Sequence, residues 1–354
     1  MTKPPSKVSS GGIPSLDGLR AVSILLVVLA HARGTRGYPG WVLENDHGYL
    51  GVQVFFVISG FLITTLLLEE EKTYRTISLK LFYARRTIRI FPPFYLFLVV
   101  MAGLDWAGIF TLPKYNLLFA ATYTMNYNIK YTVWFTAHLW SLAVEEQFYL
   151  TWPLLIKLFG SARAIRAALV LALGAPLALF VLYLMVPTAT ATVGLFFPFV
   201  ADSIAAGCVL AGAMPWLRKQ AWFQAALTAS YGWLAVVLIA LLAVMRGHPR
   251  FHFLIGEPLL NLSICYVLAR YTEYPETLGG RLLNLPAVAW IGKLSYSIYL
   301  WQQLFMNPVT GSFLQSFPAN MGFALACAVA SYYTVERPLA GLRKRMRPAP
   351  PAAS

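Results

Sequence analysis

Charge is what this chain has least of: Asp, Glu, Lys and Arg make up 12% of its 354 residues, about half the share of an ordinary soluble domain. Acid is the scarcer sign, with 14 Asp and Glu against 28 Lys and Arg, and there are three cysteines. Cys208, Cys265 and Cys327 all fall inside apolar runs at no metal-like spacing, which excludes a disulfide framework and a cysteine metal centre. Also missing are a phosphate-binding glycine loop, a Gly-x-Ser-x-Gly turn and any Cys/His cluster, so nucleotide hydrolysis on a P-loop, elbow-type serine hydrolysis and resident-metal chemistry are not expected.

What the chain has instead is apolar sequence, 58% of all residues. A helix crosses a hydrocarbon core of about 30 Å with roughly 20 apolar residues, fewer where polar side chains line a cavity. Ten such segments are read: 19–33, 49–68, 91–111, 138–159, 165–186, 193–213, 222–245, 252–269, 287–307 and 319–335. The stretch 115–137, rich in Tyr, Asn and Thr, is read as re-entrant or interfacial, with an eleventh span as the alternative. The expectation is an all-α, polytopic transmembrane bundle: a tail at 1–16, a single membrane domain at 17–338, and a basic, Pro-rich tail at 339–354, both tails cytoplasmic. No further domain follows the last span in this sequence.

Ten spans with an inner N-terminus place most of the 28 lysines and arginines on the cytoplasmic side, leaving Arg33, Arg36, Lys114, Lys130, Arg246 and Arg250 outside. That bias is the positive-inside pattern of membrane proteins. It accounts for the net charge of +14 without nucleic acid as a partner. A rival for the first segment, a secretory leader cleaved near Ala30-His31-Ala32, does not explain the charged Asp17-Gly18-Leu19-Arg20 box ahead of it.

Ionisable groups within spans are costly and point to function. Arg20 and His31 are eleven residues apart, close to three helical turns and ~16 Å, so they share one face with the arginine at the inner surface and the histidine near mid-membrane. In the fourth segment His138, Ser141, Glu145, Tyr149 and Trp152 form a polar stripe at helical spacing, with Glu146 beside it. Glu145 is the expected partner of His31, orienting the imidazole. Between the second and third segments lies an inner-loop cluster, Arg85, Arg86 and Arg89. Arg86 and Arg89, one turn apart, could grip a polyphosphate or simply obey topology; spacing leaves both readings open. Asp202 and Glu257 are further carboxylates in spans, suited to substrate lining or structural pairing, while His47, His248 and His252 are expected to be solvated at outer loops or helix ends. Gly51 and the segment Phe55 to Gly60 are expected to mark close helix packing.

Several segments resemble one family. Ser15 to Arg20 leading to His31, Gly51-Val-Gln-Val-Phe-Phe-Val-Ile-Ser-Gly-Phe-Leu62, Phe82-Tyr-Ala-Arg-Arg-Thr-Ile-Arg-Ile90, Trp140-Ser-Leu-Ala-Val-Glu-Glu-Gln-Phe-Tyr149, Ile291 to Trp301 and Val335-Glu-Arg-Pro338 are similar, in this order, to motifs of the acyltransferase-3 family of bacterial integral-membrane O-acyltransferases. The resemblance implies a protein of the bacterial plasma membrane. It would carry an acyl group, typically acetyl, from cytoplasmic acyl-CoA to a sugar hydroxyl in an exported glycan such as polysaccharide, lipopolysaccharide or peptidoglycan. It puts the family's essential histidine on His31, its arginines on Arg20, Arg86 and Arg89, and its Glu-Glu box on Glu145 and Glu146. The chain departs from the pattern at Gln302-Gln303, where the motif commonly has His, and at Val200, where a basic residue often precedes the aspartate, here Asp202.

The combined expectation is a membrane O-acyltransferase. Arg86, Arg89, Arg85 and Arg20 hold the donor. His31 acts with Glu145, as base or acyl carrier. Asp17, Ser141, Glu146, Tyr149 and Asp202 bind or orient substrate, Ser141 or Tyr149 facing the oxyanion. Its partners would be acyl-CoA, a glycan acceptor and the bilayer, with a homo-oligomer or a partner transferase also fitting a chain without a further domain. A proton-coupled transporter or flippase is the rival that midplane His, Glu and Asp would also fit.

Overall fold

The computed structural model describes residues 13–40, 47–128, 132–307 and 312–346, and every described element is helical. The main helices are α1 Leu16–Ala32, α2 Gly48–Tyr74, α3 Leu79–Trp106, α4 Leu139–Phe159, α5 Ser161–Met185, α6 Asp202–Leu217, α7 Leu234–Val244, α8 Glu257–Glu273, α9 Pro286–Phe305 and α10 Ala319–Ser331. Four of the described helices are long and apolar enough to cross a membrane: α2, α3, α5 and the run from Pro249 to Glu273 that contains α8. Others of spanning length, α4 and α9, carry the polar residues that build the interior. The protein is therefore an integral membrane helical bundle.

Helix directions follow from which residues meet. Asp17 packs on Gly292, and His31 meets Gln302, so α1 and α9 run parallel. Arg86 stacks on Tyr149 while Phe97 packs on His138, so α3 and α4 are antiparallel. Ile90 pairs with Tyr296 and Phe97 with Trp301, which makes α3 parallel to α9. Trp152 donates to Thr64 at 2.9 Å and Ser59 donates to Glu145, so α2 and α4 descend together.

Small residues allow these contacts. A Cβ on Gly60 would lie 1.9 Å from the Ile204 carbonyl oxygen, and one on Gly207 would lie 2.1 Å from that of Val57, so α2 and α6 touch backbone to backbone. The start of α1 is held in the same way. Gly18 and Gly292 admit the backbones of Leu283 and Asp17. Ser15, in place of capping its own helix, donates its hydroxyl to the Tyr271 carbonyl at 2.8 Å and its amide to Asn284 at 2.9 Å.

Several expected boundaries shift. Helix α3 begins twelve residues before the expected span, so Arg85, Arg86 and Arg89 lie on a helix and not in a loop, and Pro92 and Pro93 are accommodated inside it. The expected span 222–245 is broken into Ala221–Thr228 and α7, and the expected 193–213 yields only α6 after short turns. Residues 115–137 hold short pieces, Asn116–Ala121, Met125–Tyr127 and Trp134–Ala137, with no spanning helix among the described residues. A helix from Arg337 to Arg345 occupies the start of the expected C-terminal tail. Residues 1–12 and 347–354 of the two tails lie outside the described residues.

Candidate active site

Two cavities meet inside the bundle. The first, about 80 Å³, gathers Arg20 from α1, Ser59 from α2, Arg86 and Arg89 from α3, Glu145, Glu146 and Tyr149 from α4, and Tyr296 and Tyr299 from α9. The Arg86 guanidinium lies 5.0 Å from the Tyr149 ring centre and 5.7 Å from that of Phe82, a sandwich that fixes its plane. Glu145 accepts hydrogen bonds from Ser59 and Tyr149, and Arg20 pairs with Asp17 at 3.7 Å. Three guanidiniums thus face two carboxylates in a volume that holds a small group but no nucleotide.

The second cavity, about 550 Å³, lies at the end of the bundle where α1 finishes and α2 and α4 begin. It contains His31, His138, Tyr49, Trp134, Trp140, Tyr299 and Gln303. His31 is the penultimate residue of α1 and sits at the end of the bundle, not at mid-depth, with Thr35 donating to the Ala32 carbonyl at 2.6 Å just beyond it. Its Nδ1 stands 2.9 Å from Gln302 Oε1, and its ring meets the edge of Trp134 at 5.7 Å. With the glutamine oxygen facing the ring, Nδ1 is the nitrogen placed to donate, which leaves Nε2 as the candidate basic nitrogen. Val52 and Tyr299 line both cavities, so the arginine chamber and the histidine chamber are back to back.

The expected pairing of His31 with Glu145 is replaced. Glu145 is engaged by its own helix and α2, on the arginine side, while His31 is held by the amide of Gln302. The physical reason is depth: with His31 at the end of α1, the residue at its level on α4 is His138, not Glu145. Arg85 also leaves the expected set, turned away to Glu70 at 2.9 Å and the Met346 carbonyl at 3.2 Å. Ser141 does line the arginine chamber, with its hydroxyl 2.5 Å from that of Tyr299 and 3.3 Å from the His138 carbonyl. Asp202 stands elsewhere, accepting from Asn261 at 2.7 Å.

Sequence reasoning assigns no site role to Gln302, Tyr299, Ser59 or His138, although His138 stands in the polar stripe and Gln302 is a noted departure from the motif. Gln302 and Gln303 are almost fully buried, and His138 is 2% exposed with neither ring nitrogen in hydrogen-bond geometry with a described residue. The signal was present: a pair of amides inside an apolar helix is costly unless each has work to do. Because it departs from the motif, the pair read as a lost function and not as a replacement partner.

The chain is 28% identical to the peptidoglycan O-acetyltransferase OatA of Listeria monocytogenes over 92% of its length and 54% of that protein's. It is 29% identical to the O-acetyltransferase OatA of Staphylococcus aureus over 82% of its length and 50% of the relative's. The chain thus spans about half the length of these curated relatives. No solved structure matches. The model of the acyltransferase-3 family, described as an acyltransferase domain, aligns with residues 13–335, which takes in every residue of both chambers, and the chain belongs to that family.

Proposed function

We propose that this protein transfers an acetyl group from acetyl-CoA, presented at the cytoplasmic face, to a hydroxyl of a sugar in a surface or exported glycan. In this reading the bundle has ten spans and both termini in the cytoplasm of a bacterial cell. The observation that carries it is the shared wall of Val52 and Tyr299: a cationic chamber on one side suits an anionic donor, and a histidine chamber on the other suits an alcohol. Arg86 and Arg89, with Arg20, attract the donor phosphates from the inner side. The span of ~16 Å from Arg20 to His31 is matched by an extended thiol arm reaching between the chambers.

Chemistry at His31 follows from its tautomer. Gln302 keeps the proton on Nδ1, and Nε2 takes the proton of the acceptor hydroxyl. The hydroxyl oxygen bonds to the acyl carbon, the carbon–sulfur bond breaks, and the proton passes to the departing thiolate. One thioester and one alcohol give one ester and one free thiol. The names of the relatives support acetyl as the group and a glycan as the acceptor.

The test uses purified full-length protein in liposomes with radiolabelled acetyl-CoA and a glycan acceptor. Transfer should be lost in His31→Ala, and acetyl-CoA affinity should fall in the double variant Arg86→Ala, Arg89→Ala. Movement of the glycan across the bilayer without ester formation would instead mark a carrier and overturn the proposal.

A further inference from the structure

A third cavity, about 600 Å³, opens at the same end of the bundle as His31. Its walls include Tyr49, Asp202, Arg246, Gly247, His252 and Glu257. The expectation that His252 is solvated is corrected here. One π-turn, His252–Gly256, precedes α8 and brings His252 Nε2 to 3.0 Å from Glu257 Oε2, both side chains 8% exposed. Gln53 donates to the other oxygen of Glu257, and Asn261 donates to Asp202. The remaining oxygens of Gln53 and Asn261 are buried with no partner among the described residues. Two carboxylates this deep are costly, and nothing in the acyl-transfer chemistry at His31 uses them.

The cavity is joined to the active site by an aromatic wall. The Arg246 guanidinium lies 3.7 Å over the Tyr49 ring, and Tyr49 stacks on Trp140 at 6.1 Å with 15° between planes. Tyr49 lines both this cavity and the histidine chamber, and Trp140 lines the latter. A ligand extended past Tyr49 would therefore occupy both.

The lining selects the ligand. A volume of this size suits an organic ligand. One guanidinium opposite two carboxylates disfavours a strongly charged group of either sign, because each sign meets its like. Carboxylates and a histidine instead accept and exchange hydrogen bonds with hydroxyl groups, and charged partners make the stronger bonds. Rings flanked by aromatic faces complete the pattern.

Resting on the acceptor reading above, we infer that this cavity is a distal subsite for a neutral oligosaccharide, holding sugar rings beyond the one that is acylated at His31. The acceptor is then a chain of several sugars, recognised away from the reacting hydroxyl, and single sugars bind only in the histidine chamber. Tyr49 is the boundary between the two subsites.

The experiment measures binding and transfer separately, with β-linked N-acetylglucosamine oligomers of one to six units and full-length protein in nanodiscs. The variants are Glu257→Gln, Arg246→Ala and Gly247→Trp. The last adds an indole at the cavity wall from a position where an added Cβ meets no atom within 4 Å. For the wild-type protein, calorimetric affinity and acceptor KM should improve with length and then level off. All three variants should weaken the long oligomers about tenfold or more, leaving the monomer and acetyl-CoA unchanged. Length-independent affinity in the wild type, no oligomer binding at all, or equal affinity for long oligomers in wild type and Gly247→Trp overturns the subsite. Length-dependent binding that Gly247→Trp abolishes, with no ester formed by the wild type, keeps the subsite and refutes the transferase reading instead.

Discussion

Gly292→Ala should disable the protein although the residue touches no part of either chamber. A Cβ there would lie 1.7 Å from the Asp17 carbonyl oxygen, 2.5 Å from its carbon and 2.9 Å from its Cα, all backbone atoms. No side chain can swing aside, so α1 and α9 must part by about 1.7 Å to restore ordinary contact at 3.4 Å. Overpacking of this kind costs about 1–3 kcal/mol, and with rigid backbone on both sides we expect the upper end, a fall of ~4 °C in the melting midpoint. The same two helices carry His31 and Gln302, roughly 15–20 Å further along. A misplacement near 1 Å costs about 100-fold in rate, so acetyl transfer should fall by that order in the folded fraction. The comparison is Gly174→Ala in α5, where an added Cβ meets nothing within 4 Å and alanine should be neutral or stabilising by up to ~1 kcal/mol. Thermal unfolding followed by tryptophan fluorescence, with transfer assayed on the same preparations, decides the matter. Equal stability and equal activity of the two variants would refute the reasoning.

His31→Ala should lower transfer by ~10²–10⁴-fold, the usual contribution of a general base, with acetyl-CoA binding intact by calorimetry. Gln302→Ala should cost about 10-fold or more in kcat, since the imidazole loses the partner that fixes its tautomer; an unchanged kcat would remove Gln302 from the mechanism. Arg86→Lys keeps the charge but loses the planar stack between Phe82 and Tyr149, and donor affinity should drop by about tenfold. Arg85→Ala, by contrast, breaks a partly exposed pair with Glu70 and a bond to the Met346 carbonyl, both outside the chamber, and should change donor affinity by no more than about twofold. If Arg85→Ala weakens the donor as much as Arg86→Lys, the assignment of the chamber is wrong.

Much of the site was legible because its residues repeat at helical spacing. Arg86 and Arg89 do share a chamber with Arg20, and the Glu145–Tyr149 pair one turn apart is a real hydrogen bond. The small residues of α2 do mark close packing, against α1 at Gly51 and α6 at Gly60. Depth was harder to read. The end of α1 is close to the expected one, residue 32 against 33, but hydropathy does not say at what depth in the bundle that end lies. Placing that end at mid-membrane pairs the histidine with Glu145; at the end of the bundle its partner is Gln302. The start of α3 was missed for a related reason: a basic, amphipathic turn reads as loop beside a long apolar run, although Ser78 caps it by accepting from the Leu81 amide. Pairings such as Ser59 with Glu145 join distant helices, and no local pattern records them.

The contacts that seat α1 come from the far end of the chain. Ser15 is tied to Asn284 across 269 residues and to Tyr271 across 256, and His31 meets Gln302 across 271. At a synthesis rate of about 5–20 residues per second, the first helix waits roughly 15–50 s for the helix that completes its site. During that interval Arg20 gains the α2, α3 and α4 walls of its chamber and His31 gains Trp134, but Gly18 lacks Leu283 and His31 lacks Gln302. The histidine chamber is thus completed only when α9 arrives, and a ribosome halted before residue 286 leaves a membrane protein with its donor arginines in place and its histidine without Gln302.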